Sequence, residues 1–575
     1  KNLQVEYQTN PLGIDVSQPR FNWQMESDRY GACGQAYRLW VADSPEQLAA
    51  GRYIYDSGKV LSGESVGVVY QGKALQPSTR YYWKVSVWDE SGTEITSTEP
   101  AWFETGLLGS GWSGARWIGS SETQLSKYRS HYVIDYDVRV AEGNDKAAFV
   151  FGARDADNYV SAELDLNGSG DARFILRHTT DGKTTQDASE SLASIIPASD
   201  KHKAHHIRLK VTTAQYALKY FVDIEIDGKT LVNSSLTPEE KERKSRGDFW
   251  GGKEGAFTVY PYPDGELVYH CRLYAIGFLQ PKGQTATFSN LCISEDTWNT
   301  LLYNPAETYV EKGEGKLNVW YPGENVSAPM LRKAIKIEKP VKSARLYATA
   351  RGVYEFSVNG QKVGKDYLNP GWTDYRYRIM YNTYDITDLL RPGDNGIGAM
   401  LGAGWWSEHS GFLTGWQDQY GTRQSLLGKI VIEYADGTRE TIVTNDSWKC
   451  YDRGPITFNG LQNGEEYDAR KEVNGWDAPG FDDSSWKPAT LFAAPPVNVE
   501  IQGYVGSPIQ NNVTLTAQSM VEPIPGVYVY DMGQNMVGVP RLTFKGKAGQ
   551  EITIRFGEMN YPETIPTEPV APYTI

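Results

Sequence analysis

Cysteine is scarce in this chain: four in 575 residues, at Cys33, Cys271, Cys292 and Cys450, with no CxxC spacing among them. That spacing pattern excludes a zinc knuckle, and so few thiols do not fix a redox compartment. Cys271 and Cys292 fall in one expected domain, where they either pair or stand as isolated thiols. Positive charge is also in short supply, with 57 Lys and Arg against 71 Asp and Glu and a net charge of −14. A nucleic-acid partner needs clustered cations and is not expected here. No apolar run of about 18 residues occurs, so no helical membrane span is expected. A Walker loop, a Gly-x-Gly-x-x-Gly after a strand, a His-Glu-x-x-His and a Gly-x-Ser-x-Gly are all missing. His202, His205 and His206 stand close together, but Lys201 and Lys203 beside them point to an exposed, solvated segment rather than a metal site. The chain opens on Lys1 with neither Met nor an apolar signal region, the expectation for a mature or trimmed form.

What is abundant is Tyr (37), Trp (17) and Gly (57), the composition of strands joined by many turns. Most of the Trp are expected in β-cores, where aromatics dominate burial. The length suggests about four domains at roughly 150 residues each. Residues 1–108 alternate in polarity at Tyr37–Ala42 and Tyr81–Trp88, the period of half-buried strands, and suit an immunoglobulin- or fibronectin-like sandwich. The Gly/Ser/Trp cluster at 109–118 marks a boundary. Residues 109–297 then read as a jelly roll, with strands at 131–138, 147–152, 206–211, 220–226, 273–278 and 287–293. Helical turns are expected only at Thr237–Glu242 and Glu295–Leu302. A third sandwich is expected over 298–504, with strands at 344–350, 354–358, 396–402 and 429–434. A further β-domain starting at 505, with strands at 527–538 and 551–558, is expected to be truncated at 575. The fold class is therefore all-β: tandem sandwiches and a jelly roll, without a helical barrel, since no series of i, i+3, i+4 apolar patterns appears.

Three constellations are candidates for chemistry. Glu465, Glu466 and Asp468 cluster in a Gly-flanked loop. Paired carboxylates can act as acid and base in glycoside hydrolysis; the simpler reading is a loop in which Arg470 pairs with a carboxylate. Arg154-Asp155-Ala156-Asp157-Asn158-Tyr159 offers oxygen ligands that can orient sugar hydroxyls or hold Ca²⁺, which takes 6–8 of them. The simpler reading is a turn whose Asp and Asn bond their own backbone. Gly404-Trp405-Trp406-Ser407-Glu408-His409, with Gly411, Phe412, Trp416 and Tyr420 nearby, is either a sugar platform using Trp405 and Trp406 or a core and interface element.

Ala344-Arg345-Leu346-Tyr347 through Gly371-Trp372-Thr373-Asp374-Tyr375, together with Gly464-Glu465-Glu466-Tyr467-Asp468-Ala469-Arg470, resembles the β-sandwich modules of bacterial α-L-rhamnosidases, glycoside hydrolase family 78. Asn10–Ile14, Pro19–Gln24 and Asp56–Val60 resemble the module at the start of many of these enzymes. The resemblance implies a parent glycosidase that releases terminal L-rhamnose from plant-type glycans with inversion. Its catalytic carboxylates would sit in a downstream (α/α)₆ barrel, so no catalytic residue is assigned in this chain and the barrel becomes an intramolecular partner. The remaining alternatives are a stand-alone carbohydrate-binding or adhesion protein, and a complete glycosidase with its carboxylates on these sandwiches. The 109–297 block resembles carbohydrate-binding module family 67, which implies sugar binding, with Ca²⁺, at Asp157-Asn158. Where that family has Asn-Pro before the Ile-Gly-Phe strand, this chain reads Tyr260-Pro261. The resemblance further implies a rhamnose-containing oligosaccharide or polysaccharide as ligand, no cofactor for catalysis, and a periplasmic or secreted location.

Overall fold

The computed structural model describes residues 1–109, 111–122, 125, 129, 131–168, 170–213, 220–234, 257–259, 272–295, 300–323, 326–407, 418–462 and 464–557. They divide into two units: residues 1–364 with 368–506, and residues 365–367 with 507–575. In the first unit strands of alternating polarity such as Val353–Val358 bury one face, whereas central strands such as Val341–Arg351 are buried on both.

The first sandwich has a three-stranded sheet (Gln4–Val5, Arg20–Asn22, Val68–Val69) and a five-stranded one built on Gly34–Ala42 and Arg80–Asp89. Its core is aromatic: Phe21 meets Trp83 edge-on at 4.7 Å and Phe103 at 5.8 Å. One short helix, Pro45–Ala49, was not expected. Its signal is nonetheless present in Ser44-Pro45-Glu46-Gln47, where the Ser44 side chain accepts from the Gln47 N–H at 3.2 Å.

The jelly roll comprises two antiparallel sheets of eight and six strands around one continuous core. Leu301–Tyr303, Tyr309–Lys312 and Asn318–Trp320 pair within these two sheets, which carries the module past residue 297. Leu301 and Leu302 are therefore in a strand, not in the helical turn expected over Glu295–Leu302; residues 296–299, like Thr237–Glu242, lie outside the described residues. Lys201 and His205 are buried rather than solvated, because both find partners inside the fold. The Lys201 ammonium donates to the carbonyls of Leu166, Gly168 and Gly170 at 2.5–2.9 Å. His205 bonds Asp227 Oδ2 at 2.8 Å. Cys292 carries a free thiol rather than half of a disulfide, and Cys271 lies outside the described residues.

The third sandwich has sheets of six and seven strands. Trp117–Gly119 zips into its seven-stranded sheet, between Ser425–Tyr434 and Thr490–Phe492. The chain thus enters this sandwich before it makes the jelly roll and returns to it at Met330–Ile337. A buried ion-pair network ties the first sandwich to the third: Glu104 accepts from Arg345 Nε at 2.6 Å, from Arg345 Nη2 at 3.1 Å and from Arg80 Nε at 3.1 Å.

In the second unit Asp366–Tyr367 pairs with Ile509–Gln510, and Ser519–Ile524 with Val527–Asp531. The strand expected over 527–538 ends at Asp531, and the one expected at 551–558 does not form among its described residues. Alternation there leaves Ile552, Ile554 and Phe556 exposed without a neighbouring ladder, and a lone strand has no partner for its backbone donors and acceptors.

Candidate functional site

Asp157 and Asn158 sit at the tip of the hairpin that joins Lys146–Asp155 to Asn158–Asp165, with Asp155 opposite Asn158. This register separates their roles. Asp155 Oδ1 accepts from the Asp157 N–H at 2.9 Å and from Asn158 Nδ2 at 2.8 Å. Asn158 Oδ1 accepts from the Asp181 N–H at 3.2 Å, and the residue is only 5% exposed. The Asn158 amide therefore holds its own hairpin through the nitrogen and the adjacent turn between Arg173–Thr180 and Lys183–Ser191 through the oxygen. Burial raises the Asp155 pKa, but the bonds from Asn158 and Asp157 outweigh it and hold the carboxyl below its ordinary 3.8. Asp157 is exposed, and its carboxylate has no side-chain partner among the described residues.

Among the described residues no group of three or more His, Cys, Asp or Glu is placed to hold a metal ion. Ca²⁺ takes 6–8 oxygens; at this tip the Asn158 Oδ1 already accepts from the Asp181 N–H, and the Asp157 carboxylate is the exposed oxygen donor. Tyr260-Pro261 lies outside the described residues.

The aromatic corner is built by two loops that converge on the start of Val353–Val358. One follows Gly393–Gly402 and contains the short helix Gly404–Ser407. Gly404 has φ +52°, and a Cβ there would stand 3.1 Å from the Val353 nitrogen, so only glycine fits. The other loop carries Asn369 to Trp372, and the Asn369 carbonyl accepts from the Tyr354 N–H at 3.0 Å. Trp406 packs among Tyr375 (5.6 Å, edge-on) and Tyr420 (6.1 Å). The Arg351 guanidinium lies 4.5 Å from the Trp117 ring centroid and 5.4 Å from that of Trp406. Burial lowers the Arg351 pKa to about 10, as desolvation of a cation requires. Trp405, half-buried like Trp406, meets a different ring. Its ring lies parallel to that of Trp372, at 3° and 6.2 Å between centroids, and Trp372 is 50% exposed. Sequence reasoning did not single out Trp372 as a site residue; it directly follows the turn Leu368–Gly371. Glu408, His409, Gly411, Phe412 and Trp416 lie outside the described residues.

Glu465 and Glu466 occupy the hairpin Ile456–Gly460/Gly464–Tyr467. Asp468 follows it and is gripped by Arg470 through Nε and Nη2, both at 2.7 Å. This pairing holds the Asp468 carboxyl at about 2, too acidic for a general acid near neutral pH.

Three family models match the chain: the alpha-L-rhamnosidase N-terminal domain over residues 339–510, the Rha78A-like N-terminal immunoglobulin domain over 1–109, and the bacterial alpha-L-rhamnosidase concanavalin-like domain over 522–570. An alpha-L-rhamnosidase of Streptomyces avermitilis is 33% identical over 97% of this chain and 51% of its own length. Another, from Alteromonas sp., is 38% identical over 40% of this chain and 25% of its own length. The chain thus spans about half, or less, of the length of these relatives. Among solved structures, the S. avermitilis enzyme complexed with L-rhamnose matches with a TM-score of 0.58 and 29% identity, over 93% of this chain and 49% of that one. The alpha-L-rhamnosidase of Dictyoglumus thermophilum matches with a TM-score of 0.53 and 26% identity, over 93% of this chain and 38% of that one.

Proposed function

Because this chain carries domains of the bacterial α-L-rhamnosidase family, we propose that it is the scaffold and sugar-binding portion of an enzyme that releases terminal L-rhamnose from plant-type glycans by inversion. The observation that carries this reading is the match over 97% of the chain to a rhamnosidase, whose crystal form holds L-rhamnose. The acid and base of an inverting glycosidase stand roughly 6.5–9.5 Å apart across the scissile bond. We assign them to a helical barrel outside these residues, since the described residues form sheets and only short helical turns. The chain by itself then binds rhamnosides and does not turn them over. We place this enzyme in the periplasm or outside the cell, where polymeric plant glycans are met.

Within this reading Asp157 is the sugar contact. Its exposed carboxylate at a hairpin tip can accept hydrogen bonds from vicinal hydroxyls, while Asn158 holds the tip in shape. Trp405 is the substrate-facing aromatic, and Trp406 anchors it to the core. Calorimetric titration of the purified chain with L-rhamnose tests the assignment. Heat of binding is expected with or without a calcium chelator, and Asp157→Ala removes the contribution of this site; unchanged binding in that variant removes Asp157 from the account. The alternative, a stand-alone carbohydrate-binding or adhesion protein, is separated by the encoding gene: a reading frame that continues past Ile575 into helical sequence favours the enzyme, and a stop codon favours the binder.

A further inference from the structure

The parallel pair Trp372 and Trp405 has a neighbour that gives it a chemistry. Ala403, two residues before Trp405, donates its N–H to Asn459 Oδ1 at 2.6 Å. Asn459 lies on the hairpin Ile456–Gly460/Gly464–Tyr467, directly opposite Glu465. Opposed residues of an antiparallel pair point to the same face, with Cβ atoms about 5 Å apart. The exposed Glu465 side chain therefore leaves the hairpin on the side where Asn459 reaches the Trp405 segment. Phe458 and Glu466 take the opposite face, and Phe458 is buried there.

Two indoles of common orientation, one of them 50% exposed, set this corner apart from the core of the sandwich, where Trp448 is 1% exposed. Paired aromatic faces with one open to solvent are suited to stacking against a ligand. The Glu465 carboxylate, on the side of the hairpin that reaches the Trp405 segment, narrows the ligand class. Cores of protein–protein interfaces are depleted of Glu, whereas a flat apolar face bordered by a few placed acceptors suits a small ligand with one apolar side and several hydroxyls. A pyranose has that shape, and a 6-deoxy sugar adds a methyl group to its apolar side.

We propose that Trp372 and Trp405 form a stacking subsite for a terminal deoxyhexopyranose, with Glu465 accepting from its hydroxyls. It is a second saccharide site on the chain, distinct from the Asp157 hairpin tip, and rests on the rhamnoside reading above. The test uses the full chain carrying Asp157→Ala, titrated with methyl α-L-rhamnopyranoside by saturation-transfer NMR and calorimetry. Binding persists in this background. Trp372→Ala and Trp405→Ala each weaken it about tenfold, as loss of an aromatic anchor does, while Trp372→Tyr stays within about threefold because a stacking face remains. Glu465→Gln weakens it less than either alanine variant. Circular dichroism shows each variant folded. Binding in the Asp157→Ala background that is indifferent to both Trp→Ala changes overturns the subsite. So does a wild-type signal that Asp157→Ala abolishes completely, and both outcomes leave the rhamnoside reading standing. A wild-type chain that binds no rhamnoside overturns the two together.

Discussion

Asp157 and Asn158 are adjacent and chemically alike, yet the structure gives them opposite roles, and mutation should separate them. Asn158→Ala removes a hydrogen bond to the Asp155 carboxylate at 2.8 Å and one from the Asp181 N–H at 3.2 Å. A bond to a charged group contributes about 1.5–3 kcal/mol and a neutral one about 1 kcal/mol. The Asp155 side chain is 48% exposed, so solvent replaces part of the loss and the low end applies, about 2 kcal/mol in all. Asp157→Ala removes an exposed carboxylate with no side-chain partner among the described residues, and should stay within about 0.5 kcal/mol. Because several domains unfold together or separately, a global melt is a poor reporter. Amide hydrogen exchange over residues 155–160 reads local opening instead, and about 2 kcal/mol corresponds to about 30-fold faster exchange. The pH dependence supplies a sign. A carboxyl whose folded pKa lies below its unfolded value adds stability that is present above the unfolded value and lost as pH falls through the folded one. Protection of the wild-type hairpin should therefore decline as pH drops below the ordinary 3.8 of Asp155, and Asn158→Ala should flatten that decline. Equal exchange in the wild type and Asn158→Ala, or equal loosening by both substitutions, would refute the division of labour.

The link between the first and third sandwiches is open to a similar test. Glu104→Gln leaves the Arg345 guanidinium, 8% exposed, with Asp385 at 2.8 Å and neutral acceptors. Breaking a buried pair costs about 3–5 kcal/mol, and the remaining Asp385 should reduce this to about 2–3 kcal/mol; a urea midpoint that does not move, followed by tryptophan emission, argues against the network. Thiol reactivity offers a second check: burial raises the Cys450 pKa to about 12, while Cys33 is exposed. An aromatic disulfide reagent should therefore modify Cys33 in the folded chain and Cys450 only after denaturation, and labelling of Cys450 first, mapped by mass spectrometry, would contradict the packing.

Strands such as Tyr81–Trp88 and Tyr354–Val358 were legible because alternation is local, and burial of one face needs no knowledge of the partner. The insertion of the jelly roll into the third sandwich was not legible. It depends on Trp117–Gly119 finding Leu426 and Leu491, a pairing that no local pattern encodes. The candidate sites divide the same way. The Asp-Asn tip and the Trp405-Trp406 pair were visible as residue types, but which of Asp157 and Asn158 faces solvent follows from register, and which ring each indole meets follows from distant residues. Trp372 meets Trp405 only in three dimensions. Lys201 misled for a related reason, since a lysine next to histidines looks solvated until three carbonyls converge on it.

Incubating the purified 575-residue chain with 4-nitrophenyl α-L-rhamnopyranoside, with its binding of L-rhamnose followed by calorimetry, separates a sugar-binding scaffold from a catalyst. Binding without release of nitrophenol above the buffer rate is the predicted result. Sustained turnover that a carboxylate substitution within this chain abolishes would contradict it.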